Sequence, residues 1–176
     1  MISESARHIG IIAMTPSGII GNAGGMPWSI PAELAHYRSV TTGQCLVMGR
    51  RTFESMRSVG ASFLGQTGFI LSGSPIKGVP VGFQQVASIE EYLLKTPEPQ
   101  QRFVIGGAVL LHSFLQRGLI DELLISELRQ EYAGDVRVDT ALFESWSRTV
   151  EQEHEEFRVL KFVKPKDLRL QECLTK

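Results

Sequence analysis

Leu46-Val47-Met48-Gly49-Arg50-Arg51-Thr52-Phe53-Glu54-Ser55-Met56 reads as a strand, a glycine and the first turns of a helix. Leu46 to Met48 is an uninterrupted apolar run, and Phe53 and Met56 continue at helical spacing beyond Gly49. The same order returns later in the chain. Arg102-Phe103-Val104-Ile105 is a strand, Gly106-Gly107 follows, and a helix runs from Ala108 to Gln116, closed by Gly118. Ile9-Gly10-Ile11-Ile12-Ala13-Met14 is a third such run, ended by the turn residues Thr15-Pro16-Ser17-Gly18. Runs that are apolar throughout, rather than alternating, imply strands covered on both faces.

Outward from these units, Gly68-Phe69-Ile70-Leu71-Ser72 is another strand, the segment Gly73 to Pro80 is loop, and Val81 to Val86 reads as a further strand. Ser88-Ile89-Glu90-Glu91 is a capping box opening a helix to about Lys95, which Thr96-Pro97-Glu98-Pro99 breaks. Leu123-Leu124-Ile125-Ser126 adds a strand, and Thr149 to Glu153 with Phe157 to Val163 are close enough to pair as a hairpin. Alternating strands and helices predict an α/β sandwich of three layers. Its central sheet is mainly parallel with helices on both faces, and the C-terminal hairpin is its antiparallel edge. Ligands bind such sheets at the carboxyl ends of the strands.

The composition fits this scheme. With 176 residues, 43% hydrophobic and 21% charged, the chain is read as a single domain, 1–176, with a substantial core. A net charge of -1 gives no electrostatic case for nucleic acid or an anionic membrane as partner, which leaves a small molecule. The start, Met1-Ile2-Ser3-Glu4-Ser5, lacks the basic-then-apolar pattern of a signal peptide, and no apolar run reaches membrane-spanning length, so a cytoplasmic monomer is expected. Cys45 sits in an apolar run and Cys173 in a polar tail; His8, His36, His112 and His154 are scattered, so no metal site is expected.

One acid stands out in Gly21-Asn22-Ala23-Gly24-Gly25-Met26-Pro27-Trp28-Ser29-Ile30-Pro31-Ala32-Glu33-Leu34-Ala35-His36-Tyr37-Arg38. Pro31 suits the first turn of a helix beginning near Ile30. Glu33 then lies one turn before Tyr37, at the edge of an apolar face. It reads either as a first-turn acid left in water and favoured by the helix dipole, or as a carboxylate half-sunk in an apolar cleft with a raised pKa, able to grip a polar ring and help deliver a proton. Gly49-Arg50-Arg51-Thr52 likewise fits either a solvated cap or a phosphate site at a helix N-terminus.

Taken together these stretches resemble the dihydrofolate reductase family. The resemblance rests on Ile19-Ile20-Gly21, Met26-Pro27-Trp28 and Ile30-Pro31-Ala32-Glu33-Leu34 with Tyr37 and Arg38. It continues, in order, through Val47-Met48-Gly49-Arg50-Arg51-Thr52-Phe53-Glu54-Ser55, Ile70-Leu71-Ser72 and Val104-Ile105-Gly106-Gly107. It implies the same three-layer α/β fold, NADPH as cofactor, and hydride transfer to C6 of a dihydropterin with a proton to N5. By resemblance Glu33, Trp28 and Ser126 form the catalytic group, Ser126 keeping the hydroxyl of a family threonine that bonds the acid. Ile11, Ile12, Leu34, Tyr37, Met56 and Ile105 would bind the substrate. Gly49, Arg50, Arg51, Thr52, Leu71 and Ser72 would hold the cofactor phosphates. Ala13, Ile20, Gly21 and Ile105 would contact the nicotinamide side. Gly106, Gly107, Ala108 and Val109 would complete the diphosphate site, the glycine pair carrying a cis peptide in the family. Gly21 to Gly25, with Met26 and Trp28, would act as a lid.

Three positions depart from the family pattern. Gln66 stands where an arginine pairs with the glutamate tail of folate, Leu111 where a tyrosine packs on the nicotinamide, and Val109 where a basic residue meets the phosphates. The leading expectation is NADPH-dependent reduction of 7,8-dihydrofolate. The alternatives are reduction of a tail-less pterin or of a ribosylaminopyrimidine, and, in another class, a catalytically weak NADPH-binding protein.

Overall fold

The computed structural model describes residues 7–96 and 100–165. The Met1 to Ser5 start, the Pro97-Glu98-Pro99 breaker and Cys173 lie outside them. In chain order the elements are β1 (His8–Met14), β2 (Ile19–Gly21), α1 (Pro31–Thr41), β3 (Cys45–Gly49), α2 (Arg50–Ser58), β4 (Thr67–Leu71) and β5 (Phe83–Val86). They continue with α3 (Ile89–Lys95), β6 (Arg102–Gly106), α4 (Ala108–Gln116), β7 (Glu122–Leu128), β8 (Val136–Arg137), a 3-10 turn at Thr140–Leu142, β9 (Ser147–Glu153) and β10 (Phe157–Val163).

Eight strands form one sheet in the order β5-β4-β3-β6-β1-β7-β10-β9, and β2 pairs with β8 in a separate ribbon. The strands from β5 through β7 run parallel, while β10 and β9 are antiparallel, the expected hairpin edge. Successive side chains alternate between faces. Leu46 and Met48 enter one core with Phe53, Tyr37 and Met56 of α1 and α2, whereas Val47 enters the other with Tyr92, Leu110 and Phe114 of α3 and α4. In the same way Ile9 and Ile11 face the first core, and Ile12 and Met14 the second. Both faces are covered, which is why the sequence pattern is continuous. Gly10 keeps its face clear for α4 and β7, since a Cβ there would lie 2.5 Å from Leu123 Cδ2 and 3.2 Å from Leu111 Cδ1.

Several boundaries differ from expectation: β7 runs Glu122–Leu128 rather than Leu123 to Ser126, and β9 begins at Ser147 rather than Thr149. Strand β5 begins at Phe83 rather than Val81, because Gly82 takes a positive φ and its carbonyl accepts from Gly68 N–H, leaving Val81 outside the ladder. Strand β4 ends at Leu71, with Ser72 turning into the following loop. The capping box forms with a shift. Ser88 Oγ accepts from Glu91 N–H at 3.1 Å, but the Glu91 carboxylate reaches back to Ala87 N–H at 2.6 Å. At the N-terminal edge of the sheet a buried polar cluster gathers His8, Tyr92 and Arg102, with His8 Nε2 2.8 Å from the Tyr92 hydroxyl.

Candidate active site

The parallel order β3-β6-β1-β7 brings four carboxyl ends side by side. β3 leads into the N-terminus of α2, and β6 into that of α4. Beside them, Ala13 of β1 stands opposite Ser126 of β7. Helix α1 starts with Pro31 in its first turn, and Ile30 at the N-cap offers no side-chain cap. Its first turn closes through Ile30, whose carbonyl accepts from Glu33 and Leu34 N–H at 3.1 Å each.

Glu33 is 7% exposed. Burial raises its pKa, and a hydrogen bond from the Ser126 side chain pulls the other way. Of the two readings of this acid, the buried one describes the molecule. Tyr37, one turn on, joins Met56 and Ile105 as half-buried neighbours of the α1–α2 core. Its phenol is pushed up to about 12, first by desolvation, and the Glu33 charge adds to the rise. Trp28 packs with Ile30, Leu128 and Phe157, its ring centroid 5.6 Å from that of Tyr132. Its indole Nε1–H is buried without a protein partner.

The second half of the cleft is made of backbone. Helices α2 and α4 start at Gly49 and Gly107, and neither N-terminus has a side-chain cap. These starts converge. A Cβ on Gly49 would lie 3.9 Å from Gly107 N, and one on Gly107 would lie 3.3 Å from Thr52 Oγ1. The Gly106–Gly107 peptide is cis. Unpaired N–H groups at two helix starts, with Thr52 between them and Arg50 and Arg51 alongside, form a cradle suited to phosphate oxygens. Arg50 also pairs with Glu54 one turn along, at 3.7 Å. The loop after Ser72 is drawn in by Gln85, whose amide donates to Ser72 O at 3.1 Å and Ser74 O at 2.8 Å while its oxygen accepts from Ile76 N–H at 2.9 Å.

Other expected site residues fall as follows. Leu34 is 40% exposed, beside the buried acid, and Val109 is 79% exposed on α4. Ile11 and Ile12 send their side chains into opposite cores, so only their backbone is common to one edge of β1. Ile20 and Leu71 are half-buried against the α3–α4 core, and Ala13 against the Trp28 cluster. Leu111, at the family's tyrosine position, is fully buried under α4 with Val104 and Leu123. Gly21 ends β2. Among the described residues no group of three or more His, Cys, Asp and Glu is placed to hold a metal.

The segment after Gly21 is an organised hairpin. Asn22 N–H donates to Gly25 O at 2.8 Å and Gly25 N–H to Asn22 O at 3.0 Å, across Ala23 at φ 50° and Gly24 at φ 84°. Two central residues of positive φ are the signature of the tight hairpin turn whose twist suits paired strands. Its tip is tied down by residues the sequence reading missed. Both Asp135 carboxylate oxygens accept from Ala23 N–H at 3.2 Å, and Asp135 N–H donates to Gly21 O at 3.1 Å. Gly134-Asp135 is legible as a turn dipeptide; nothing local names its partner 112 positions away.

A buried acid bonded by the hydroxyl of Ser126 on β7, and two uncapped glycine-led helix starts after β3 and β6, thus belong to one doubly covered α/β sheet. The sequence profile described as dihydrofolate reductase matches residues 8–163, and the chain belongs to the dihydrofolate reductase family. The dihydrofolate reductase of Mycoplasma genitalium is 33% identical over 142 residues, 77% of this chain and 86% of that protein. That of Haemophilus influenzae is 31% identical over 148 residues, 84% of this chain and 86% of its own. In structure, the chain resembles Enterococcus faecalis dihydrofolate reductase complexed with NADP(H) and RAB-propyl, with a TM-score of 0.72 at 22% identity, over 89% of this chain and 95% of that one. Among the described residues no helix is long and apolar enough to cross a membrane.

Proposed function

We propose that this protein reduces 7,8-dihydrofolate to tetrahydrofolate, placing a hydride on C6 and a proton on N5 of the pterin, and that it does so as a cytoplasmic monomer with NADPH. The observation that carries the reading is Glu33, an acid 7% exposed and bonded by Ser126. Its carboxylate can accept from the pterin's amino group and a ring N–H, a paired recognition in which a charged acceptor strengthens both bonds. That negative charge, held against the ring in a low-dielectric site, raises the basicity of N5. The raised pKa of Glu33 also lets it take up a proton closer to neutral pH than a solvated glutamate does.

The N-termini of α2 and α4, Thr52, Arg50 and Arg51 would hold the cofactor's phosphates, and the close approach at Gly49 and Gly107 leaves the backbone bare for them. Bound NADPH supplies the hydride. Met56, Ile105, Leu34 and the ring of Tyr37 orient the substrate, and the hairpin at Gly21 to Gly25 with Trp28 excludes water while the transfer occurs.

A second reading, reduction of a pterin without the glutamate tail, is favoured by one feature. Gln66 is uncharged, and Arg57 turns Nη1 to Lys77 O at 2.8 Å with its guanidinium 5.4 Å above the Phe53 ring. Both readings are tested by following NADPH oxidation with dihydrofolate and with a tail-less dihydropterin side by side. Saturable turnover of dihydrofolate at low concentration supports the first reading, activity on the tail-less pterin alone the second. No oxidation of either refutes both.

A further inference from the structure

Trp28 is placed by side-chain packing rather than by its backbone. Among the described residues, Met26 to Ser29 belong to no strand or helix and make no backbone hydrogen bond to one another or to any other residue. The indole is nonetheless buried, in a group with Ile30, Leu128, Phe157 and Val159 against which Tyr132 packs half-buried. The Tyr132 ring centroid lies 5.6 Å from that of Trp28, with the planes tilted by 57°. Aromatic rings at that separation and tilt attract beyond the area they bury.

Tyr132 sits on a segment that is irregular but pinned. Residues 129–135 belong to no element. Even so, Arg129 N–H donates to Glu156 O at 2.8 Å, and the Glu131 carboxylate accepts from Ser17 N–H at 2.8 Å and from Ser17 Oγ at 2.7 Å. At its far end Asp135 accepts from Ala23 N–H at 3.2 Å. One segment thus meets the stretch 23–28 at both ends, through Asp135 at the hairpin tip and Tyr132 at Trp28. The indole Nε1–H is buried without a protein partner, a costly state unless a ligand atom or an ordered water meets it, so the orientation of this ring matters. We propose that Tyr132 is a positioning residue for the reduction of dihydrofolate, its ring holding the Trp28 indole in the orientation that covers the reacting rings. This rests on the dihydrofolate reductase reading. An aliphatic side chain would fill part of the same space and leave the indole free to turn.

The test compares wild type with Tyr132→Leu and Tyr132→Phe, and repeats the set in a Trp146→Phe background, where Trp28 is the one tryptophan left of two. Tyr132→Leu is expected to lower kcat with dihydrofolate about threefold to tenfold, the factor to which the worth of an aromatic pair converts, with the dissociation constant for NADPH unchanged. Acrylamide quenching of Trp28 emission should rise in the same variant. Tyr132→Phe keeps the ring and should restore both readings. If Tyr132→Leu keeps kcat within about twofold of wild type, the assignment is overturned even where Tm falls, because a residue that only packs moves Tm alone. Equal losses in the two variants place the effect in the hydroxyl and overturn it as well. A wild type that does not oxidise NADPH with dihydrofolate refutes the proposed activity and the catalytic effect with it, whereas unchanged quenching in Tyr132→Leu refutes the support of Trp28 by Tyr132 whatever the activity.

Discussion

Gly134→Ala tests whether the Gly21–Gly25 hairpin is a working part of the enzyme. A Cβ at residue 134 would stand 2.3 Å from Gly21 O and 2.4 Å from Ile19 Cγ2, where real Cβ contacts stay above 3.0 Å. Backbone must therefore part from backbone by about 0.7 Å, since Gly21 O cannot swing aside as a side-chain tip would. That same oxygen accepts from Asp135 N–H at 3.1 Å, and the next contact along is the Asp135 carboxylate on Ala23 N–H at 3.2 Å. Opening the gap breaks the first bond and misaligns the second. At roughly 0.5 to 1.5 kcal/mol for each net bond, about 1 to 3 kcal/mol is lost from the hairpin's attachment. Exposure of the pair favours the lower half of that range. The core is untouched, so Tm should fall by only a few degrees, at about 2 to 4 °C per kcal/mol for a chain of this size. In steady-state kinetics with saturating NADPH and substrate, kcat should drop roughly tenfold, in proportion to the loss of the attached state. If kcat stays within twofold while hydrogen exchange shows the Ala23 amide released, the hairpin does not gate turnover.

Three further outcomes follow from named groups. Glu33→Gln should lower kcat at neutral pH by roughly a hundredfold or more with NADPH affinity retained, and should also raise Tm. The folded-state pKa of Glu33 is raised, so its contribution to stability is full below the unfolded value of 4.5 and is lost as pH rises; the amide removes that penalty, and a lower Tm at neutral pH would contradict the burial argument. His8 is held down to about 4 from 6.5, first by burial and then by the Arg102 charge. The unfolded chain thus gains a proton that the folded one resists, and stability falls between pH 6.5 and 4 by roughly 3 kcal/mol, from 1.36 kcal/mol per unit. Denaturant midpoints across that range should flatten in His8→Gln, and an equally steep slope in the variant would place the acid sensitivity elsewhere. Ala23→Gly relieves a left-handed alanine at φ 50° and should slow exchange of the Gly25 amide several-fold, with the strain of about 1 kcal/mol partly offset by glycine's greater unfolded entropy; faster exchange would show that the turn is not strained.

The sheet was legible because its information is local. A parallel strand buried on both faces must be apolar at every position, and Leu46-Val47-Met48 shows this directly, its side chains dividing between two cores. Gly49 and Gly106-Gly107 were legible for the same reason, as breaks between strand and helix spacing. Ser147–Glu153 was harder: every residue of this edge strand is exposed, and only its proximity to Phe157–Val163 marks it as a strand. Of the site, Glu33 was visible through its placement on α1, but not which of its two readings holds or its hydrogen bond from Ser126 on β7.

What escaped the sequence is what joins distant segments with few residues. Strand β8 is two residues long, and its pairing with Ile19–Gly21 spans more than a hundred positions, so neither hydrophobic period nor propensity can announce it. Asp135 looks like any turn acid until Ala23 N–H is placed beneath it. The same holds for Gln85, a strand residue whose side chain organises the Ser72–Ile76 loop through three hydrogen bonds. Strand patterns report what must be buried; polar residues that reach across loops satisfy backbone groups at the surface, where many residue types are tolerated. The sheet positions the two bare helix starts and α1 carries Glu33, while the Gly21–Gly25 hairpin and the Ser72–Ile76 loop are each tied by a polar side chain from a distant segment, Asp135 and Gln85, that takes no part in the apolar core.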